Sequence, residues 1–410
     1  MPLQTLFSLE PLPVSGQPTN GESINLVLVH GTWSDGPLAS ICDAFRRWLS
    51  LKERQRSLQG DRFWYQSGHL FVRRLVDELR SHGFEPALYS CLWTGMNSFG
   101  ARLICAAGLA TGIESEKFPR RRTIVLGHSH GGSAAFLAVN HLKDPSVVEL
   151  VTMATPFVRL EPCTSGRAVS LAFSGWFMTL VAALFTFAAW RTGANAYNPI
   201  SIERLMPLLF PLVVLVGFMK TRERIAVKYI RENVLPWQTA FRGSRIQCIR
   251  GMSDEANLAI SAGLIGLGIA RLLSVLIGKV GTSLWVQGLG LLALFAALTA
   301  AFIAQPIPFL LVGVLGVPAL GGIAVYLLSF LQWLMGSEAA WSTFSFMGSL
   351  DSSPDVPPGK LEVLTLPAPH ATLEGVRHGI YQQPECVKAI VDGIIQFRKA
   401  GGETENALAR

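Results

Sequence analysis

Residues 123–132 have the sequence TIVLGHSHGG, and residues 133–138 continue with the small apolar run SAAFLA. The first four residues are β-branched or apolar, as in a short buried strand, and the run after the glycines has the spacing of a helix packed tightly on a sheet. The stretch therefore predicts a strand-to-helix turn centred on Ser129. Glycine suits Gly127 and Gly131 because bulky side chains two residues either side of the serine would clash.

The rest of the chain has two kinds of composition. Of its 410 residues, 50% are hydrophobic and only 15% are charged, against about 25% charged in ordinary soluble domains. The excess apolar content lies in residues 168–219 and 256–336, whereas residues 1–160 and 340–410 are ordinary globular sequence. The composition therefore indicates a globular domain with membrane-embedded insertions.

Charge and cysteine content exclude several classes of function. The net charge of +7 comes from scattered basic residues without interleaved aromatic residues, which argues against a nucleic-acid partner. The six cysteines have no close pairing and no histidine at metal-ligand spacing, so neither a zinc site nor a disulfide framework is expected. The polar N-terminus has no apolar core typical of a secretory signal, which favours a cytoplasmic globular part.

Strands and helices alternate through the globular sequence. Apolar or period-two runs predict strands at residues 24–29, 86–93, 123–126, 147–153, 245–250 and 361–366. Helical spacing predicts helices at residues 71–79, 102–113, 384–397 and from residue 133 onward. This alternation predicts an α/β fold with a doubly wound, mostly parallel sheet, in which ligands bind beyond the carboxyl ends of the strands.

Two apolar insertions interrupt this pattern. Uncharged or nearly uncharged runs long enough to approach or span a bilayer occupy residues 168–190, 205–219, 284–304 and 309–335. Residues 256–280 carry Arg271 and Lys279, so an interfacial position is expected for them. Basic residues at the outer ends of the first insertion predict, by the positive-inside rule, an integral membrane protein whose globular domain is cytoplasmic.

The insertions also predict a division of the chain. The globular domain would comprise residues 1–160, 236–256 and 341–410, with insertions at residues 161–235 and 257–340. Because the three globular parts must meet in one site, each insertion must cross the bilayer an even number of times. Two transmembrane helical hairpins satisfy this condition; a hydrophobic lid is the alternative.

Several candidate site residues follow the predicted strands. Backbone N–H groups of Thr32, after the first strand, and of His130, after the serine, are placed to stabilise an oxyanion. Asp254, with Glu255 as the alternative, follows the strand at 245–250, where a carboxylate could orient a catalytic histidine or merely cap a helix. The candidate base is His378, with His370 as the alternative. Candidate pocket residues are His30, Trp33, Trp93 and His128, although Trp93 could equally belong to the core.

These residues resemble the α/β-hydrolase superfamily, specifically its lipase and esterase branch. The similar segments are LVHG at 28–31, GHSHGG at 127–132, GMSDE at 251–255 and HGIYQQPECV at 378–387. The resemblance covers about residues 1–160, 240–256 and 360–400, and the chain order Ser, Asp, His is the one this fold uses. It implies Ser129 as nucleophile, His378 as base and Asp254 as its orienting acid, with no cofactor and no metal.

The resulting hypothesis is a membrane-associated serine hydrolase that cleaves lipid or acyl esters through an acyl-enzyme. Insertions just past the strand ends would open the site at the membrane, so a lipid substrate and the bilayer are the expected partners. An acyltransferase or acyl-protein thioesterase of the same fold is one alternative. A membrane anchoring or channel protein with an inert hydrolase-like domain is another.

Overall fold

The computed structural model describes residues 7–14, 20–31, 63–162, 214, 217–218, 220–251, 336–342, 345–351, 353–367 and 380–408. The chain divides into two compact units. The first contains Met1–Arg159, Pro236–Ala262 and Leu350–Arg410, and the second contains Leu160–Leu235 and Gly263–Ser349.

A seven-stranded sheet forms the centre of the first unit. In chain order, the strands of the described residues are β1 (Phe7–Pro11), β2 (Glu22–Val29), β3 (Phe84–Trp93), β4 (Thr123–His128), β5 (Val148–Met153), β6 (Phe157–Pro162), β7 (Arg245–Gly251), β8 (Phe346–Asp351) and β9 (Leu361–Leu366). The order across the large sheet is β1-β3-β2-β4-β5-β7-β9, while β6 and β8 form a separate pair. Only the edge strand β1 runs antiparallel to its neighbour in the large sheet.

The parallel register brings six strand ends to one edge of the sheet. Val29 of β2 is level with Gly127 of β4, which is level with Thr152 of β5. Farther along, Gly251 at the end of β7 is level with Leu366 at the end of β9. The carboxyl ends of β2, β3, β4, β5, β7 and β9 therefore share the edge at which ligands bind in such sheets.

Helices cover both faces of the sheet. The described helices are α1 (Leu70–Ser81), α2 (Phe99–Glu114), α3 (His130–His141), α4 (Ser337–Trp341) and α5 (Pro384–Leu408). Side chains of β2 alternate between the two faces: Ile24, Leu26 and Leu28 pack in a core with α1 and α5, whereas Val27 and Val29 pack with α2 and α3. The first unit is thus a three-layer α/β structure.

The described part of the second unit is mainly helical. Residues 220–229 are helical and continue into a π-helical turn at Ile230–Val234. Ala226, Ile230 and Val234 are its buried apolar residues. On the same helix, Lys220 pairs with Glu223 at 3.1 Å.

The predicted strands and helices of the globular sequence are present, with shifted ends. For example, β2 begins two residues earlier than predicted, and α5 continues to Leu408. Strand β1 was missed because its sequence, FSLEP, has little apolar signal of its own. Its position depends on a distant contact, since Gly108 of α2 leaves room for the Phe7 ring.

The predicted fold class is wrong in one respect, the interruption of the sheet by hydrophobic transmembrane helical hairpins. Across the described ranges, no helix combines the length and the apolar character needed to cross a membrane. Helix α2 is apolar, but its 16 residues extend only about 24 Å, against about 30 Å for a bilayer core. Helix α5 has 25 residues but carries charged side chains.

The segments for which hairpins were predicted lie outside the described residues, apart from Val214, Gly217 and Phe218. What the structure supports is a seven-stranded, mostly parallel sheet with helices.

Arg122 links three elements at the opposite edge of the sheet. This residue precedes β4, and its guanidinium donates to the carboxylate of Glu149 at the start of β5. It also donates to the carbonyl oxygen of Ile394 in α5 at 2.9 Å and lies 3.9 Å from the carboxylate of Glu22. Burial raises the pKa of Glu149, and the hydrogen bond from Arg122 opposes that rise.

We expect Arg122→Ala to lower the free energy of unfolding by about 2–4 kcal/mol at pH 8, because it leaves a buried carboxylate without its partner. The loss should be smaller at pH 5. A carboxyl group whose pKa is higher in the folded than in the unfolded protein destabilises the folded state as the pH rises. Protonation of Glu149 at low pH removes the uncompensated charge, so the variant then loses less stability. Urea unfolding at both pH values measures the effect.

Lys143→Ala is the control for loss of an ion pair. The Lys143 side chain is 91% exposed and lies 3.9 Å from Glu114, so its removal should change stability little. Equal losses for the two variants would contradict the structural role of Arg122.

Candidate active site

Ser129 lies between β4 and α3 in a backbone conformation that residues other than glycine rarely adopt. Its φ is 55° and its ψ is −136°, a strained combination that persists only where the surroundings enforce it. The Ser129 N–H donates to the Met153 carbonyl at 2.9 Å, and the Ser129 carbonyl accepts from the Gly132 N–H at 2.9 Å. A serine before a helix usually caps it with its hydroxyl, but the Ser129 hydroxyl makes no capping hydrogen bond.

Three glycines let the chain pack closely around Ser129. A Cβ atom on Gly127 would overlap the backbone of Gly132, and one on Gly131 would overlap the carbonyl of His30 at the end of β2. A Cβ atom on Gly31 would lie 2.6 Å from the Ser129 Cβ and 3.2 Å from its Oγ. The loop after β2 therefore lies directly against the serine.

Aromatic side chains hold the turn after β2. The His30 ring is fully buried between Tyr65 and Trp93, with ring centroids 4.8 Å and 5.6 Å away. The Trp93 indole N–H donates to the His30 carbonyl at 2.8 Å. His30 Nδ1 lies 2.9 Å from the Gly31 carbonyl, which can only accept, so Nδ1 carries a proton.

His130, the first residue of α3, contacts a buried arginine. Its Nδ1 lies 2.9 Å from Nη1 of Arg102, whose side chain is 1% exposed. Arginine has no acceptor, so Nδ1 of His130 must accept and the ring proton must be on Nε2. With both nitrogens assigned in this way, the His130 imidazole is unsuited to act as general base for Ser129.

His128, on the other side of Ser129, lies in a second aromatic group. Its ring meets the edges of Tyr381 at 5.2 Å and Trp64 at 5.8 Å. Burial raises the pKa of the Tyr381 phenol, which is therefore neutral at physiological pH. Tyr381 belongs to the short turn Ile380–Gln382 that precedes α5. The contact brings the C-terminal part of the chain beside the nucleophile turn.

The structure thus brings five of the predicted site residues together at the carboxyl edge: His30, Trp93, His128, Ser129 and His130. Six others lie outside the described residues: Thr32, Trp33, Asp254, Glu255, His370 and His378. Trp93 is 5% exposed and hydrogen-bonded behind His30, so its observed contacts are those of a core residue.

The strands that precede the undescribed acid and base candidates end at the same edge as Ser129. The Ala154 N–H, just after β5, donates to the Ile249 carbonyl of β7 at 2.9 Å. Ala154 itself has a φ of 48°, a second strained residue beside Met153, which accepts the Ser129 N–H. In the described parts of the chain, no group of three or more His, Cys, Asp or Glu side chains could hold a metal ion.

Sequence reasoning missed Arg102, Trp64, Tyr65 and Tyr381. Arg102 had one usable signal, because it is the one charged residue among the apolar residues 99–113. Such a charge requires a buried polar partner. The three aromatic residues had no local signal, since their contacts with His30 and His128 join elements distant in sequence.

Gly131→Ala tests the close approach of β2 and α3. In an ordinary helix, Gly→Ala stabilises by up to about 1 kcal/mol. Here the added methyl group would overlap the carbonyls of Val29 and His30, so we expect destabilisation of about 1–3 kcal/mol or more. Thermal or urea unfolding gives the sign directly.

Gly217→Ala provides the control, because a Cβ atom there would meet no atom of the described residues within 4 Å. It should leave stability unchanged or slightly increase it. A stabilising effect of Gly131→Ala would show that the two backbones are not in contact.

Comparison with known proteins does not assign the chain to a family. No protein-family model matches the chain, and no curated protein matches it either. The chemistry of the site therefore follows from its own geometry: a strained serine at the carboxyl edge of a parallel sheet, enclosed by glycines and aromatic side chains.

Proposed function

We propose that this protein is a serine hydrolase that cleaves carboxylic esters of acyl substrates, with Ser129 as the nucleophile. The observation that carries the proposal is the strained backbone of Ser129, at φ 55° and ψ −136°, between a parallel strand and a helix. Such strain is costly and is found mainly at functional sites. A nucleophile on a sharp strand-to-helix turn projects its hydroxyl above the sheet edge.

In the proposed reaction, Ser129 Oγ attacks the ester carbonyl carbon while His378 takes the hydroxyl proton. The tetrahedral intermediate collapses, the bond to the leaving oxygen breaks, and His378 returns the proton to the departing alcohol. Water then releases the acyl group by the same two steps. Asp254 orients His378, and the backbone N–H groups of Thr32 and His130 stabilise the oxyanion. The proposal requires no cofactor and no metal.

Two contacts support His378 as the base. The hydrogen bond from Arg102 occupies Nδ1 of His130 and leaves its proton on Nε2, so one of the two histidines adjacent to Ser129 is unsuited. The Tyr381 ring lies 5.2 Å from that of His128, next to Ser129. Three residues, the separation between Tyr381 and His378, span at most about 11 Å. The segment between His378 and Tyr381 is therefore short enough to keep His378 in the neighbourhood of Ser129.

A lipid-soluble substrate, the bilayer as a partner and a cytoplasmic location stay predictions from composition. The acyltransferase and thioesterase alternatives differ from the proposal only in the acceptor or the bond cleaved. Product analysis with and without an added alcohol or amine acceptor separates them from hydrolysis.

Ser129→Ala is the direct test. We expect the wild-type protein to react with a fluorophosphonate probe and to hydrolyse p-nitrophenyl butyrate. The variant should not be labelled, and its kcat should fall by about 10⁴-fold or more. In-gel fluorescence and release of p-nitrophenol measure the two effects.

Ser133→Ala is a closely matched control. This serine lies four residues farther along α3, and its buried hydroxyl donates to the Pro156 carbonyl at 2.6 Å. Its removal should leave labelling intact. Comparing His378→Ala with His370→Ala then identifies the base. A folded wild-type protein that neither reacts nor hydrolyses esters would contradict the proposal and favour an inert domain.

A further inference from the structure

Among the described arginines of the first unit, Arg102 is the buried one, at 1% exposure. Arg80 and Arg122 are partly exposed and pair with the carboxylates of Glu85, at 2.8 Å, and of Glu149. Arg102 places Nη1 2.9 Å from Nδ1 of His130, with its guanidinium 4.4 Å from the centre of the Phe99 ring. A permanently charged group has thus been buried against an imidazole.

The hydrogen bond between Arg102 and His130 lies next to the nucleophile turn. His130 directly follows Ser129 and begins α3, so its backbone N–H lies at the positive end of that helix. Its side chain extends toward α2, where Arg102 lies one turn from the N-cap residue Ser98. The hydrogen bond therefore fastens the first turn of α3 to α2.

We propose that Arg102 is a positioning residue of the active site: it holds His130 in the Nε2–H tautomer and fixes the turn that carries the oxyanion donor. This inference rests on the proposed function. The imidazole is kept neutral because a protonated ring would direct an N–H at a guanidinium that has no acceptor. His130 consequently cannot compete with the true base for the Ser129 proton.

The contribution of Arg102 should appear in kcat rather than in KM. The substrate ester is neutral, whereas the tetrahedral intermediate carries a negative charge. A fixed donor geometry therefore stabilises the transition state more than the bound substrate.

The kinetic test uses Arg102→Met, which retains most of the apolar stem. We expect kcat for p-nitrophenyl butyrate to fall about 10- to 100-fold, as for loss of part of an oxyanion site, with KM changed less than about threefold. Arg102→Lys, which keeps a positive donor without the planar fork, should recover part of the loss. Circular dichroism confirms that the variants are folded.

Arg80→Met is the matched control, since it also removes a largely buried arginine of the first unit. It should lower stability without a selective loss of kcat. An unchanged kcat in Arg102→Met, or an equal fall in both variants at equal stability, would overturn the inference while leaving Ser129 as nucleophile.

A second measurement does not depend on activity. The ¹⁵N chemical shifts of histidine-labelled protein report the tautomer of each imidazole, and His130→Gln assigns the His130 signals. We expect the Nε2–H form in the wild type and in Arg80→Met, and a mixture of forms in Arg102→Met. A wild-type His130 with its proton on Nδ1 would refute the assignment even if the protein hydrolyses esters. The expected tautomer in an inactive protein would instead show that the proposed function has failed.

Discussion

The close contact between the loop after β2 and the first turn of α3 is the constraint on which the candidate site depends. Only glycine at 31, 127 and 131 allows the backbones to approach this closely. The contact holds Ser129 in its strained conformation. Packing of the central strands β2 and β4 side by side supplies the rigid support that makes such strain sustainable.

Much of the architecture could be predicted from sequence because the central strands are continuous apolar runs and the nucleophile turn requires glycine. Ile24 to Val29 and residues 123–128 are buried at almost every position, as expected for parallel strands covered on both faces. Edge strand β1 and the contact between Arg102 and His130 could not be predicted, because both depend on the register of elements far apart in sequence. The membrane hairpins were predicted from the length of uncharged runs and from their basic flanks, and neither feature determines how an apolar segment folds.

The three histidines around Ser129 show why residue type alone does not define a catalytic role. His30 donates through Nδ1 to a carbonyl, and His130 accepts at Nδ1 from an arginine. The His128 ring lies between aromatic edges. The neighbours of His30 and of His130 impose opposite roles on Nδ1, so a histidine beside a nucleophile can serve to build a site without supplying its base.

The strand order also has a consequence for how this chain can change in length. From β2 outward through β4, β5, β7 and β9, each strand is added beside the previous one in chain order. The connections at residues 154–244 and 252–360 therefore need only leave one strand and return to its neighbour. Segments of different lengths can be accommodated there without threading through the sheet. The strand order thus sets no upper limit on the length of these two connections.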